Sequence, residues 1–300
     1  MIGFVLVLLA CLLWAVDTLI RYPMVNEGVP SFSIVFYEHL FLTTMVSLLF
    51  RQAIKKLWKM PRKDFINFLI IGTGGSALAT LAFTQAFNTL NPSLVILLQK
   101  FQPVVAIFFA HYILDEKIKG VFVFWATICL IGAVLISYED FLHLYNLNRP
   151  WIDIIVTEGS LQGYLCVAFS VLGWGASTVY GKKLLKEGYK DNEVMSGRFL
   201  FGFLGLLPFL PFQSTIFTHS FNIYRNVFLM VLVSGLLAMY LYYHGLRKLS
   251  ARACSLTELS FPFMAVIVNW IFLGAQLSLI QLAGGALLLI GSFIIQFRRY

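Results

Sequence analysis

Ten apolar stretches, each near 20 residues long, follow one another along the chain: 3–21, 32–50, 66–87, 93–114, 121–138, 161–181, 194–212, 227–246, 252–273 and 280–297. A helix of about 20 mostly apolar residues spans the hydrocarbon of a bilayer, whereas barrel strands are about 10 residues long and alternate in polarity. Lipid offers no partner to backbone amides, so a chain of this pattern must satisfy them within helices. The expected fold is therefore an all-α integral membrane protein with ten transmembrane helices. Composition agrees: 12% of the 300 residues are charged, about half the fraction of a soluble domain. Residues 3–21 read as a retained first helix rather than a signal peptide, because no Lys or Arg precedes them and the first is Arg21.

The placement of charge fixes an orientation. With both termini cytoplasmic, the inner segments hold seventeen basic residues: Arg51, Lys55, Lys56, Lys59, Arg62 and Lys63; Lys117 and Lys119; Lys182, Lys183, Lys186 and Lys190; Arg247, Lys248 and Arg252; Arg298 and Arg299. The outer segments hold three, Arg21, Arg149 and Arg225. Basic residues concentrate on the cytoplasmic side of membrane proteins, so the net charge of +8 is a topology signal and not a footprint for nucleic acid. The expected location is the plasma (inner) membrane, with segment 139–160 outside. A cysteine introduced at Asn148 should label with an impermeant reagent in intact cells and one at Lys56 should not; the opposite pattern would invert the topology.

The chain also repeats itself. An offset of 159 maps Leu78 to Leu237, Leu90 to Leu249, Gln99 to Glu258, Pro103 to Pro262, Ala106 to Ala265 and Gly132 to Gly291. Earlier in each half an offset of 160 maps Gly3 to Gly163, Trp14 to Trp174, Thr18 to Thr178 and Glu27-Gly28 to Glu187-Gly188. Matches in register argue for an internal duplication: a first unit at 1–138, an extracytoplasmic linker at 139–160 and a second unit at 161–300. Five helices per unit is an odd number, so the second unit enters the membrane from the other side. That makes an inverted repeat, the architecture in which one half rocks against the other around a central site.

Two five-helix repeats, Trp14 in the first helix, a proline in the fourth and ninth, and the Leu114-Asp115-Glu116-Lys117 helix exit resemble the drug/metabolite transporter superfamily, in its ten-helix EamA-type branch. The resemblance implies a secondary transporter or exporter with a central cavity between the halves and leaves the substrate open. One departure stands out: the acidic exit of helix 4 has no counterpart after helix 9, where Gly274-Ala275 stand.

Ionisable groups inside membrane spans are costly and mark function by default. Lys100 and Glu258 occupy nearly equivalent places in the two repeats, each beside a proline, Pro103 or Pro262. A proline leaves the carbonyl four residues earlier without its donor, here that of Gln99 and that of Glu258, so both prolines are candidate helix breaks and gating points. Two roles fit Lys100 and Glu258. They grip opposite ends of a zwitterion, with Glu258 alternatively carrying a proton, or they form a buried ion pair that fixes helix packing. Gln99 and Gln102 share their turn. Glu38 and Arg198, matched at an offset of 160, suit either substrate contact or a clamp between helices 2 and 7. Asp17 either gates or pairs with Arg21, four residues on. Gln85 and His244 form another matched pair. Tyr240, Tyr242 and Tyr243, with Trp14 and Trp174, suit an aromatic wall for an organic cation.

The four cysteines lack metal-ligand spacing. Neither a cofactor motif nor a nucleotide motif is present, so transport is expected to proceed without ATP. The expected partners are a small-molecule metabolite and the lipid bilayer, with the protein a monomer or homodimer. The reading is a transporter of a small polar or amphipathic metabolite, an amino acid or amine first, with quaternary-amine uptake as an alternative. An intramembrane enzyme or lipid-head-group carrier would want clustered His, Asp or Glu near an interface, which the sequence does not show.

Overall fold

A computed structural model describes residues 1–86, 88–90, 95, 98–136, 138, 161–213, 216, 219–273 and 278–298. The linker 139–160, the first residues of the expected span 93–114 and Gly274-Ala275 lie outside the described residues. Among the described residues there is no strand. The helices are α1 (Ile2–Asn26), α2 (Ser31–Leu49), α3 (Arg51–Leu57), α4 (Arg62–Ala86), α5 (Gln102–Leu114), α6 (Gly120–Ile136), α7 (Leu161–Lys186), α8 (Asp191–Phe212), α9 (Phe221–Lys248), α10 (Ala251–Glu258), α11 (Ser260–Leu273) and α12 (Leu279–Arg298). Seven runs are long and apolar enough to cross a membrane: α1, α2, α4, α7, α8, α9, and α10 with α11; α5, α6 and α12 are shorter apolar helices. The protein is a multi-pass integral membrane protein.

Several helices outrun their apolar stretch. Helix α1 continues past Arg21 because that guanidinium folds back on Asp17 at 2.7 Å, which lets the helix end carry its charges. It stops just before Gly28, and α7 stops before the matched Gly188; both glycines have positive φ, +81° and +96°, a conformation that side chains resist. Short α3 falls in what the sequence reads as a plain basic loop; it buries Ala53 and Leu57 and leaves its lysines outward.

Both proline-bearing spans are broken. A turn at Lys100–Phe101 precedes α5, and a one-residue turn at Leu259 separates α10 from α11. Pro103 and Pro262 therefore sit in the first turn of a new helix, where a missing amide costs nothing. The carbonyl of Glu258 faces protein: the Cys11 thiol lies 3.8 Å from it and 3.8 Å from the Thr257 carbonyl.

Two further irregularities come as a pair. Helix α4 is π-helical over Ile70–Leu78 and α9 over Val231–Leu237, places matched by the 159-residue offset. Helix α1 packs along α9 and onto α10 and α11, as α7 packs along α4 and α5; α8 lies on the π stretch of α4, and α12 lies along α6.

Small residues set that last contact. A Cβ at Gly132 would fall 2.6 Å from the Gly284 carbonyl oxygen and 2.8 Å from the Leu288 amide. Main chain cannot yield as a side chain can, so Gly132→Val should cost about 1–3 kcal/mol, read as a lower melting temperature of the purified protein.

The basic segments converge on one face. Lys56 pairs with Glu193 at 2.8 Å, and the Tyr189 hydroxyl donates to Asp64 at 2.8 Å. Arg247 binds both Asp191 and, at 2.6 Å, the Tyr189 carbonyl. Burial, and then the adjacent Asp64 carboxylate, pushes the Tyr189 phenol above its ordinary range. On the same face the acidic exit after α5 finds a partner the sequence did not suggest. Asp115 adopts a left-handed conformation (φ 54°), and Glu116 then accepts from the first amides of α10, Ala251 at 2.9 Å and Arg252 at 3.3 Å. The Arg252 side chain lies 3.5 Å from Glu116, donates to the Lys117 carbonyl and covers the Phe122 ring at 4.5 Å.

Candidate functional site

Glu258, the last residue of α10, collects donors from both halves of the chain. Gln102 Nε2 donates to its Oε2 at 2.8 Å, and the Tyr242 hydroxyl to its Oε1 at 3.0 Å. Thr178 Oγ1 stands 3.2 Å from the same Oε1 and 3.0 Å from the Tyr242 hydroxyl. The Cys254 thiol completes the ring at 3.7 Å. The break before α11 explains the position: the side chain leaves at a helix end, so it projects between α5, α7 and α9 and not along one helix face. These donors are all uncharged, and no ion pair to Glu258 exists among the described residues. A carboxylate held this way suits a substrate that brings its own positive charge or several hydrogen-bond donors.

An aromatic wall adjoins it. The Trp14 ring lies 5.5 Å from Tyr242, and its indole N–H donates to the Ser234 carbonyl at 3.2 Å. Trp174 packs against Phe83 instead, with ring centroids 4.9 Å apart.

Several sequence candidates take other partners. Lys100 is buried and donates to the Ala133 carbonyl of α6 at 3.1 Å; among the described residues no ion pair joins it to Glu258. Gln99 is half-buried on the preceding turn. The clamp between Glu38 and Arg198 is corrected as well. Glu38 accepts twice from Arg21 at 3.1 Å, while Arg198 donates to Ser177 at 2.5 Å and to the Gly75 carbonyl at 3.3 Å. Arg21, one turn from Asp17, is simply nearer to Glu38 than Arg198 is. Asp17 holds Arg21 and also accepts from Ser234 at 2.5 Å.

Gln85 and His244 do not meet. Gln85 accepts from Asn88 near the end of α4 at 3.4 Å. His244 packs against Tyr240 with ring centroids 4.6 Å apart and faces Asp191 at 3.1 Å, on the basic face. There Tyr240 and His244 line a surface pocket with Lys190 and Arg247, away from Glu258. The residues that sequence reasoning missed are Thr178, Ser234, Cys11 and Cys254, small groups common in any apolar helix. Thr178 alone carried a signal, its match to Thr18.

The sequence profile of the EamA-like transporter family matches residues 1–138 and 161–297. A relative named riboflavin transporter ImpX, from Fusobacterium nucleatum subsp. nucleatum, is 29% identical over 96% of this chain and 95% of its own. The uncharacterized transporter YxxF of Bacillus subtilis is 22% identical over 91% of this chain and 84% of its own. One solved crystal structure superposes with a TM-score of 0.74 over 99% of this chain and 98% of that one, at 16% identity, a likeness of fold alone.

Proposed function

Because the chain belongs to the EamA-like transporter family, we propose that it is a secondary transporter that moves a small amphipathic metabolite by alternating access around Glu258. Its relatives are transporters and not enzymes. The observation that carries the reading is a carboxylate bonded from α5, α7 and α9 at once, so that any movement between these helices remakes the site. We take the chain as ten membrane-crossing helices in two inverted repeats, 1–138 and 161–300, joined outside the cell by 139–160, with cytoplasmic termini. The paired packing of α1 with α9 and of α7 with α4 supports that symmetry. Direction, import or export, follows whichever gradient is coupled.

For the substrate, a planar heteroaromatic ring bearing hydroxyls, as in riboflavin, is the first choice. The relative's name supports it, and so does the chemistry: the Trp14–Tyr242 pair offers a surface for a flat ring, while Glu258 and Gln102 suit its N–H, O–H and carbonyl groups. A second reading, an amino acid or an amine including a quaternary amine, rests on the absence of a cationic partner for Glu258 among the described residues. A thermal-shift series on the purified protein separates the two. A ligand at 100 times its dissociation constant adds about 2.7 kcal/mol. Riboflavin should raise the melting temperature and choline or amino acids should not; stabilisation by choline alone would move the assignment to amines.

A further inference from the structure

A pocket of about 340 Å³ opens on the basic face, where the end of α3 meets the turn between α7 and α8. Lys55, Lys56, Lys59, Met60 and Pro61 line one side of it and Tyr189 the other, and no acidic residue is among them. Lys56 is engaged by Glu193 at 2.8 Å and stands 5.0 Å from the centre of the Tyr189 ring. Lys55 and Lys59 have no carboxylate partner among the described residues. Three lysines less the one that Glu193 neutralises leaves two positive charges unbalanced. Those two stand four residues apart while the chain is still turning, since the Trp58 amide donates to Ile54 and the Lys59 amide to Lys56. Like charges at that spacing repel, and here both line one pocket. The surroundings are those of a membrane interface. Trp58, between the two lysines, is 77% exposed, and Phe65, Ile66 and Leu69 are exposed on the next helix. Tryptophan concentrates at the level of lipid headgroups. A soluble phosphate has no use for such an apolar border, whereas a phospholipid has.

We propose that this pocket binds the phosphodiester headgroup of an anionic phospholipid. Lys55 and Lys59 hold the phosphate, Trp58 sits beside it at headgroup level, and the acyl chains run over Phe65 and Ile66. An ammonium binds phosphate as a point charge, and basic pockets beside membrane helices capture anionic headgroups. A zwitterionic lipid brings a cation of its own, which the lysines repel. The bound phosphate offsets the repulsion between Lys55 and Lys59 and leaves Lys56 to Glu193. It therefore steadies the contact of α3 with α8, where Leu57 also lies against Gly197. The headgroup site is distinct from Glu258, and its occupant from the transported metabolite.

Tryptophan quenching reads the site. The full chain would be reconstituted in phosphatidylcholine nanodiscs carrying either phosphatidylglycerol or phosphatidylcholine brominated near the headgroup. The Trp58 signal is the difference between the parent and Trp58→Phe. Brominated phosphatidylglycerol should quench Trp58 at a mole fraction more than tenfold lower than brominated phosphatidylcholine. Lys55→Gln and Lys59→Gln should each reduce that preference about fivefold, since a basic residue near the surface contributes about 1 kcal/mol toward anionic lipid. The double variant Lys119→Gln/Lys248→Gln removes the same charge from the basic face outside the pocket and should leave the preference unchanged. An equal loss in that control would mean surface potential alone and would overturn the site, as would equal quenching of the parent by the two lipids. Inorganic phosphate at millimolar concentration should not relieve the quenching; relief would give the pocket to a soluble phosphate, and the lipid assignment would fall.

Discussion

Replacing Glu258 by leucine should abolish transport while the helices stay assembled. The substitution removes the acceptor for Gln102 and Tyr242 and leaves the buried Tyr242 hydroxyl only Thr178 to bond. One orphaned buried group costs about 1–3 kcal/mol, less than the stability of most folded chains, so the purified protein should melt earlier yet remain monodisperse. Glu258→Gln keeps the size and one carbonyl acceptor; it should lose less stability but still lower uptake by more than about tenfold, since bonds to a charged group are worth roughly 1.5–3 kcal/mol. Full uptake by Glu258→Gln in proteoliposomes would remove Glu258 from the site. Lys100→Met supplies an internal control. Lys100 donates to Ala133 and not to Glu258, so its effect on melting should add to that of Glu258→Gln within about 0.5 kcal/mol. A large coupling would show the two to be paired after all.

Glu116→Ala should be the most destabilising single change on the basic face. Glu116 satisfies the first two amides of α10 and neutralises Arg252, whose side chain is only 10% exposed. Removing one partner of a buried ion pair typically costs about 3–5 kcal/mol, because the other charge stays behind. Glu116→Gln should fall between the parent and Glu116→Ala, since an amide oxygen still caps the helix but does not neutralise Arg252. Adding Arg252→Met to Glu116→Ala should restore much of the loss. Thermal melts of the four proteins decide it; a Glu116→Ala protein as stable as its parent would mean that Arg252 is held without Glu116.

Membrane insertion was legible in the sequence because lipid imposes length and apolarity on every helix. The candidate site was legible in part. Glu258 stood out as a charge beside a proline in an apolar run, and Gln102 shared that context on the other span. What it meets was not legible. Thr178 and Cys254 resemble packing residues, and one acceptor of Lys100 is a main-chain carbonyl, which no side-chain pattern announces. Glu38 and Arg198 were matched by the repeat and then read as partners. A match in sequence register does not imply contact, and each of the two takes a different partner. The π stretches left no trace either, because small and apolar residues fill them and no periodicity marks the extra residue.

Those stretches also act as rulers. A π turn holds one residue more than the α-helix around it, and each residue in a helix carries the next side chain about 100° further round the axis. Everything beyond Leu237 in α9, Tyr242 included, owes its compass bearing to that extra residue. Losing a single residue anywhere between Val231 and Leu237 would leave hydropathy and length almost unchanged, yet swing Tyr242 out of line with Glu258 and Arg247 out of line with Asp191. The same holds for Ile70–Leu78 in α4. In these two windows the chain counts residues strictly, and at Gly72, Gly75 and Gly235 it limits their size as well, since an added Cβ would meet a neighbour at 2.5, 2.5 and 2.7 Å.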